Sequence, residues 1–364
     1  MTGMGSIADV AGIRVGHHHR IDPDATLGSG WATGVTVVLP PVGTVGAVDG
    51  RGGAPGTRET DALDPANSVR WVDAVVLSGG SAYGLSAADG VMTWLEEHGR
   101  GVALDGGVVP IVPAAVIFDL PVGAWDRRPT AEFGYAAVAA AAGPDGAQPA
   151  SGSVGAGAGA RAGVFKGGVG TASMTVDVGD HVVTVGAIVV VNPSGELINA
   201  TTGLPWSALL IEEFGLVSPP AEQLAVLAGL EPKAPGLNTT IAVVATDAAL
   251  SPAGCRRVAV AAQDGLAQTI RPAHTPIDGD TVFALATGAV QVPPSAATPQ
   301  AMSPETALIT AVGAAAADCV ARAVLGGLLS AVPVAGLPTY RGVVPGACGD
   351  RLADRSSTYS GEHG

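Results

Sequence analysis

Short apolar runs alternate with longer stretches of helical periodicity along most of the chain. Apolar runs of strand length bounded by glycine or proline are typical of buried strands, and apolar residues three or four apart indicate helices. The strands predicted in this way are residues 34–40, 45–53, 74–77, 241–246 and 281–286, and the helices are 85–98, 221–228, 252–269 and 304–329.

The predicted helices carry small residues on their apolar faces, as in "EFGYAAVAAAAG". Alanine and glycine let neighbouring layers approach closely, and strand pairs of hairpin type alternate with these helices. The pattern favours a layered α+β sandwich over a single doubly wound sheet. Residues 215–237 have the proline-rich composition of an exposed linker, and residues 350–364 form a polar tail.

The composition narrows the class of protein. Of 364 residues, 47% are hydrophobic and 14% are charged, yet no uninterrupted apolar run reaches the ~20 residues of a membrane-spanning helix. The net charge of −14 argues against nucleic acid or an anionic membrane as a partner, because few basic side chains are available. Three scattered cysteines and an N-terminus without an apolar signal segment lead us to expect a cytoplasmic protein.

Glycine-rich and histidine-rich segments offer weaker functional signals. The run "GAGAG" lacks the preceding strand that a dinucleotide-binding loop requires, so a close-packed loop is the better interpretation. The turn "LSGGSAYG" follows a strand and opens a helix, so it is either an anion or carboxylate site or only a tight turn. The three histidines at 17–19 cannot all face one metal, because neighbouring strand residues point to opposite faces.

A threonine pair, Thr239 and Thr240, lies between the proline-rich linker and the apolar strand "IAVVA". A threonine hydroxyl is a poor nucleophile without a base. Cleavage between Asn238 and Thr239 would supply one, because the new α-amine has a reference pKa of about 7.7–8.0 and no histidine is needed. The pair therefore predicts a self-cleavage point, and the alternative interpretation is an ordinary β-branched strand residue.

Four further polar residues lie at the edges of apolar or glycine-rich segments. They are Lys166, Asn192, Asp278 and Asp280. Such edges are where sites are built on rigid scaffolds, although an Asp-Gly-Asp sequence before a strand is also common turn chemistry.

Several sequence blocks resemble the L-aminopeptidase/D-esterase (DmpA-type) family, whose relatives include β-peptidyl aminopeptidases and nylon-oligomer endo-hydrolases. The blocks include "GIRVGH", "DGRGGAPGTRETDAL", "VVLSGGSAYGLSAADGV", "VVVNPSG", "NTTIAVVATDA" and "HTPIDGDTVFALATG". They occur in the family's order between about residues 7 and 330. The resemblance implies a four-layer αββα sandwich of the DmpA/ornithine-acetyltransferase type, which is N-terminal-nucleophile-like. It also implies chemistry without a metal or organic cofactor.

The resemblance further implies a catalytic set with Thr239 as the nucleophile. Autocleavage would give an α-subunit of residues 1–238 and a β-subunit of residues 239–364, both parts of one domain. Asn192 matches the residue that helps to stabilise the oxyanion. Three positions, Thr239, Asp278 and Asp280, match the nylon-hydrolase branch rather than the aminopeptidase branch, in which the nucleophile is Ser and the pair is Ser and Glu. Lys166 matches the lysine near the nucleophile in the nylon-hydrolase branch. The substrate-binding candidates are Ser78, Gly79, Gly80, Tyr83 and Phe118.

These inferences predict a self-cleaving hydrolase of small peptides, amides or esters, assembled as a homotetramer. Two alternatives stay open. One is an acyltransferase of the ornithine-acetyltransferase type, in which an amine instead of water resolves the acyl-enzyme. The other is a non-catalytic oligomeric binding protein whose chain stays intact.

Overall fold

A computed structural model of the chain describes residues 5–231 and 238–349. The strands within these ranges are, in chain order, β1 (Arg14–Ile21), β2 (Ala32–Leu39), β3 (Val45–Gly50), β4 (Thr57–Arg58), β5 (Val75–Ser78), β6 (Val102–Leu104), β7 (Gly107–Val109), β8 (Ala114–Val116), β9 (Arg161–Ala162), β10 (Phe165–Lys166), β11 (Val169–Val178), β12 (His181–Val190), β13 (Ile198–Asn199), β14 (Leu204–Pro205), β15 (Ile241–Ala248) and β16 (Thr281–Val290). The α-helices are α1 (Ala87–Glu97), α2 (Ala131–Ala142), α3 (Ala208–Glu213), α4 (Ala221–Ala228), α5 (Pro252–Thr269), α6 (Thr306–Leu329) and α7 (Tyr340–Val343).

The longer strands form two five-stranded mixed sheets with the same pattern of directions. The first has the order β1-β2-β5-β8-β4 and the second has the order β11-β12-β15-β16-β3. In each sheet the third and fourth strands are parallel and every other pair is antiparallel. A helix connects each parallel pair, α1 in the first sheet and α5 in the second, as a crossover between parallel strands requires.

Strand β15 is buried on both faces, which explains its continuous apolar sequence. Ile241 and Val243 pack into the core between the two sheets, together with Leu77 and Ile117 of the first sheet. The alternate residues of β15 belong to the core under α5 and α6. The strand therefore lies at the centre of the molecule, and the residues at its start occupy a rigid position.

Helices cover the outer face of each sheet. Helices α1 and α2 pack on the first sheet around a core that includes Val35, Val76 and Ala137. Helices α5 and α6 pack on the second sheet and against each other. Two helix layers and two sheet layers give the αββα sandwich that the resemblance implied, so this prediction is confirmed.

Helix α6 is long and apolar enough, by length and composition, to cross a membrane. It contains no uninterrupted apolar run of this length, because Asp318 and Arg322 interrupt its apolar sequence. Of its most apolar window, 67% is buried inside the protein, where it packs on β11 and β12. A core helix with two covered faces has this composition.

The predicted element boundaries are close to the observed ones. Helices α4 and α5 match, whereas the predicted helix 85–98 begins with a 3-10 turn at Ser81–Ser86 before α1. Of the predicted linker, residues up to 231 contain α4 and bury Leu216 and Leu227, while 232–237 and the tail 350–364 lie outside the described residues. The division into two subunits stays a prediction.

Candidate active site

The backbone around Thr239 is held by hydrogen bonds on both sides of the Asn238–Thr239 peptide. Asn238 and Thr239 are buried, and they lie directly before β15. The N–H of Thr239 donates to the carbonyl of Asn192 at 3.0 Å, and the N–H of Asn238 donates to Ile277 O at 3.0 Å. The Asn238 carbonyl oxygen accepts from the N–H of Gly279 at 3.0 Å and also from the Thr239 hydroxyl.

The turn that contains Asp278, Gly279 and Asp280 lies against this peptide and is supported from behind by residues 51–54. The N–H of Arg51 donates to Asp280 O at 2.9 Å, and the N–H of Ala54 donates to Asp278 O at 2.8 Å. A Cβ on Gly279 would lie 2.8 Å from the Thr239 hydroxyl oxygen. The turn approaches Thr239 this closely because Gly279 has no side chain.

The two carboxylates of this turn bind backbone N–H groups on either side of Thr239. Asp280 Oδ1 accepts from the N–H of Thr240 at 2.8 Å, and Asp278 Oδ1 accepts from the N–H of Ser194 at 3.0 Å. Burial raises the pKa of Asp278; the hydrogen bond from the Thr275 side chain opposes this shift, and the nearby charge of Asp280 adds to it. The pair thus connects the start of β15 to the turn that follows β12.

Asn192 and Lys166 are both fully buried. The Asn192 side chain accepts from the N–H of Arg161 at 2.9 Å and donates to Phe118 O at 3.3 Å, so its orientation is fixed. The Lys166 ammonium donates to the carbonyls of Gly157 and Gly167, each at 2.7 Å.

The glycine turn 78–81 is held by a buried carboxylate, Asp119. Its oxygens accept from the N–H of Gly80 and from the hydroxyl of Thr33, each at 2.6 Å. Burial raises the pKa of Asp119 to about 6, although both hydrogen bonds and the charge of Lys166 act in the opposite direction. Because Phe118 adjoins Asp119 and its carbonyl contacts Asn192, the turn is connected to the surroundings of Thr239.

The remaining substrate-binding candidates, Ser78, Tyr83 and Phe118, differ in how far they are exposed to solvent. Ser78 is fully buried and its hydroxyl donates to Gly79 O at 3.0 Å. Tyr83 is 57% exposed, with the Arg128 guanidinium 3.8 Å from its ring centroid. The Phe118 ring packs edge-on against the exposed Trp125, with ring centroids 6.0 Å apart. The structure therefore joins Phe118 to Asn192, while Tyr83 lies on the surface side of the turn.

Comparisons with known proteins agree with this architecture. A family model described as Peptidase family S58 matches residues 5–340. The chain belongs to peptidase family S58. Membership places it among the peptidases, and the predicted relationship to the DmpA-type family is confirmed.

Relatives of this S58 chain include proteins named as aminopeptidases and proteins named as 6-aminohexanoate-oligomer endohydrolases. It is 69% identical over 350 residues to an uncharacterized aminopeptidase of Mycobacterium tuberculosis, which covers 95% of this chain and 100% of the relative. It is 31% identical over 270 residues to a 6-aminohexanoate-oligomer endohydrolase of Paenarthrobacter ureafaciens, covering 72% of this chain and 71% of the relative.

Solved structures share the S58 fold. A beta-aminopeptidase of Burkholderia sp. superposes with a TM-score of 0.69 at 24% identity, covering 99% of this chain and 96% of that chain. The L-aminopeptidase D-Ala-esterase/amidase of Ochrobactrum anthropi gives a TM-score of 0.67 at 23% identity, covering 97% and 93%. The latter is described as a variant of the Ntn hydrolase fold, so the predicted fold type is confirmed.

Several residues of the candidate active site were not identified from the sequence. His274 Nδ1 lies 2.8 Å from Asp280 Oδ2, and the Thr275 hydroxyl donates to Asp278 Oδ2. Both belong to the block "HTPIDGD", but the turn chemistry of this block does not say which side chains bind the two carboxylates. Asp119, in the further matching block "VPAAVIFDL", and the glycines of "RGGAPG" likewise had no assigned role.

The histidines at 17–19 do not converge, as expected from strand geometry. His17 bonds the hydroxyl of Thr36 at 2.9 Å, while the ring of His18 packs against Phe133. Burial, with a smaller effect from His19, lowers the pKa of His17 to about 4. Within residues 5–231 and 238–349 no group of three His, Cys, Asp or Glu side chains is arranged to hold a metal ion.

A cavity of about 590 Å³ lies away from Thr239. It is lined by the β11–β12 turn, by Ala249–Ser251 after the end of β15, and by residues of 291–308. Thr239 precedes the opposite end of β15, so this cavity is not part of the candidate active site.

Proposed function

We propose that the chain is a self-processing aminopeptidase that cleaves its own Asn238–Thr239 bond and then uses Thr239 as an N-terminal nucleophile. The observation that carries this proposal is the contact of the Thr239 hydroxyl with the carbonyl of Asn238, whose oxygen also accepts from the N–H of Gly279. The name of the relative that is 69% identical supports aminopeptidase activity on peptides.

The precursor reaction needs a nucleophile next to a polarised carbonyl. The Thr239 hydroxyl attacks the Asn238 carbonyl carbon, the amide nitrogen leaves as the α-amine of Thr239, and water hydrolyses the resulting ester. The N–H of Gly279 already donates to the oxygen on which negative charge develops. One such preorganised donor is typically worth about 3–4 kcal/mol of barrier.

The mature enzyme uses the same hydroxyl on a substrate amide. The freed α-amine takes the hydroxyl proton and returns it to the leaving amine. The Asn192 carbonyl, which accepts the Thr239 N–H at 3.0 Å, would hold that amine in place after cleavage. Asn192 would help to stabilise the oxyanion, and the buried positive charge of Lys166 would keep the neighbouring amine neutral.

The substrate would enter past Phe118 and the glycine turn, since the Phe118 carbonyl contacts the Asn192 side chain. The match of Lys166, Asp278 and Asp280 to the nylon-hydrolase branch extends the proposed substrates to small amides and esters. We further propose a homotetramer of processed units in the cytoplasm. Membership in a peptidase family favours hydrolysis over acyl transfer and over a non-catalytic binding role.

A pair of isosteric variants tests the proposal. Thr239→Val removes the nucleophilic hydroxyl and keeps the shape, so we expect a single intact chain on denaturing electrophoresis and no peptide hydrolysis. Thr240→Val is the matched control, because the Thr240 hydroxyl is buried and has no hydrogen-bond partner among residues 5–231 and 238–349. It should process and hydrolyse like the wild type. Loss of processing in the Thr240 variant alone, or processing of the Thr239 variant, contradicts the proposal.

A further inference from the structure

Two consecutive residues outside the predicted catalytic set, His274 and Thr275, bind the two acidic residues next to Thr239. His274 contacts Asp280, and Thr275 contacts Asp278. Each carboxylate uses its Oδ2 for this dipeptide and its Oδ1 for a backbone N–H beside the nucleophile. Through Asp280 and Asp278, the dipeptide is therefore connected to the N–H of Thr240 and to the N–H of Ser194.

The contact of His274 with Asp280 is made twice. The backbone N–H of His274 donates to Oδ2 at 3.1 Å, and the ring Nδ1 lies 2.8 Å from the same oxygen. A carboxylate oxygen only accepts, so the Nδ1 atom carries the proton in this arrangement. His274 adopts φ +55°, in the left-handed region, and this conformation directs both donors of one residue at one oxygen.

We propose that His274 is a positioning residue for the nucleophile, acting through Asp280 on the N–H of Thr240. The inference rests on the proposed function of Thr239. Asp280 is 2% exposed, so in the folded chain its Oδ2 depends on donors that the protein supplies. With both donors on Oδ2 the carboxylate cannot rotate, and Oδ1 stays 2.8 Å from the Thr240 nitrogen. The residue that follows the nucleophile is thereby fixed.

Two variants at position 274 separate the side-chain donor from the backbone conformation. His274→Asn keeps a side-chain N–H donor near the place of Nδ1 and tolerates positive φ, whereas His274→Gly tolerates positive φ and keeps only the backbone N–H donor. We expect the Asn variant to keep processing and peptide hydrolysis within about threefold of the wild type. The Gly variant should lose about tenfold to a hundredfold in kcat with little change in KM, since one hydrogen bond to a buried charge is removed.

Folding is checked by thermal melting, and His98→Asn is the matched control. His98 also uses Nδ1 in a hydrogen bond, to Trp94 O at 2.7 Å at the end of α1, so its variant should stay at the wild-type rate. A Gly variant with wild-type kcat overturns the proposal. If the Gly variant does not fold, the Asn variant decides: a folded Asn variant below about a tenth of the wild-type rate overturns the proposal, and one near the wild-type rate supports it.

A spectroscopic signature separates failure of this proposal from failure of the proposed function. An imidazole Nδ1–H bound to a carboxylate gives a downfield proton resonance, which should be present in the wild type and in His98→Asn and absent from both His274 variants. If the wild type shows this resonance but neither processes nor hydrolyses peptides, the proposed function has failed and the arrangement of His274 stands. Absence of the resonance from the wild type overturns the arrangement itself.

Discussion

The pKa of Asp119 predicts an unusual dependence of stability on pH. Burial raises this pKa from 3.8 to about 6, so the folded chain binds the proton more tightly than the unfolded chain. The contribution to the free energy of unfolding is fully present below the unfolded pKa and is lost as the pH rises through the folded pKa. Asp119 therefore destabilises the fold progressively as the pH rises toward neutral. A carboxylate in a surface ion pair has the opposite effect, because it stabilises the fold as the pH rises.

The shift of about two pKa units changes the free energy of unfolding by about 3 kcal/mol in total, between a pH well below 3.8 and a pH well above 6. About 2 kcal/mol of this falls between pH ~4.5 and pH ~7.5. Asp119→Asn removes the titration, and its amide can still accept from the N–H of Gly80 and donate to the Thr33 hydroxyl. The unfolding free energy of the wild type minus that of Asp119→Asn should therefore fall by about 2 kcal/mol between pH ~4.5 and pH ~7.5.

The assay is urea unfolding at a series of pH values in the Thr239→Val background, in which the proposed self-cleavage is blocked. Asp126→Asn is the matched control, because Asp126 is an exposed carboxylate on the same loop and undergoes the same change of side chain. A difference between wild type and Asp119→Asn that is constant across the range, or that rises with pH, refutes the assignment of a desolvated carboxyl at 119.

Three further predictions concern the site and the assembly. Asp280→Asn should slow peptide hydrolysis by about tenfold to a hundredfold, because a charged acceptor beside Thr240 is lost; wild-type rates of both cleavage and hydrolysis would reduce Asp280 to turn chemistry. Gly279→Ala should slow processing by about tenfold or more on denaturing gels, since its Cβ would lie 2.8 Å from both the Thr239 hydroxyl oxygen and the Ala54 carbonyl oxygen; rapid processing would show that the turn moves freely. The exposed alanines of α2, Ala139 and Ala140, lead us to expect a tetramer, and a monomer mass by light scattering would contradict this.

Local sequence patterns predicted the elements better than the contacts between them. Helix α5 was predictable because Ser251 caps it, Pro252 opens it and its apolar residues keep helical spacing. Strand β15 was predictable because burial on both faces leaves a continuous apolar run. The parallel pairing of β15 with β16 has no local signal, since it depends on a crossover helix returning the chain to the same sheet.

The residues of the candidate site also fall into those that the sequence could predict and those that it could not. Thr239, Asp278 and Asp280 lie where the sequence changes abruptly from polar to apolar, and such changes can be read from the sequence alone. The role of His274 depends on a left-handed residue and a tight return of the chain, and that of Asp119 depends on burial against a glycine turn. Both roles arise from tertiary packing, which composition and spacing do not encode.

The N-terminal residue of the small fragment tests the central claim most directly. Purified protein should separate on a denaturing gel into residues 1–238 and 239–364, and terminal sequencing of the smaller fragment should begin with Thr239. A single intact chain that hydrolyses peptides, or a fragment that begins at Thr240, would contradict the account.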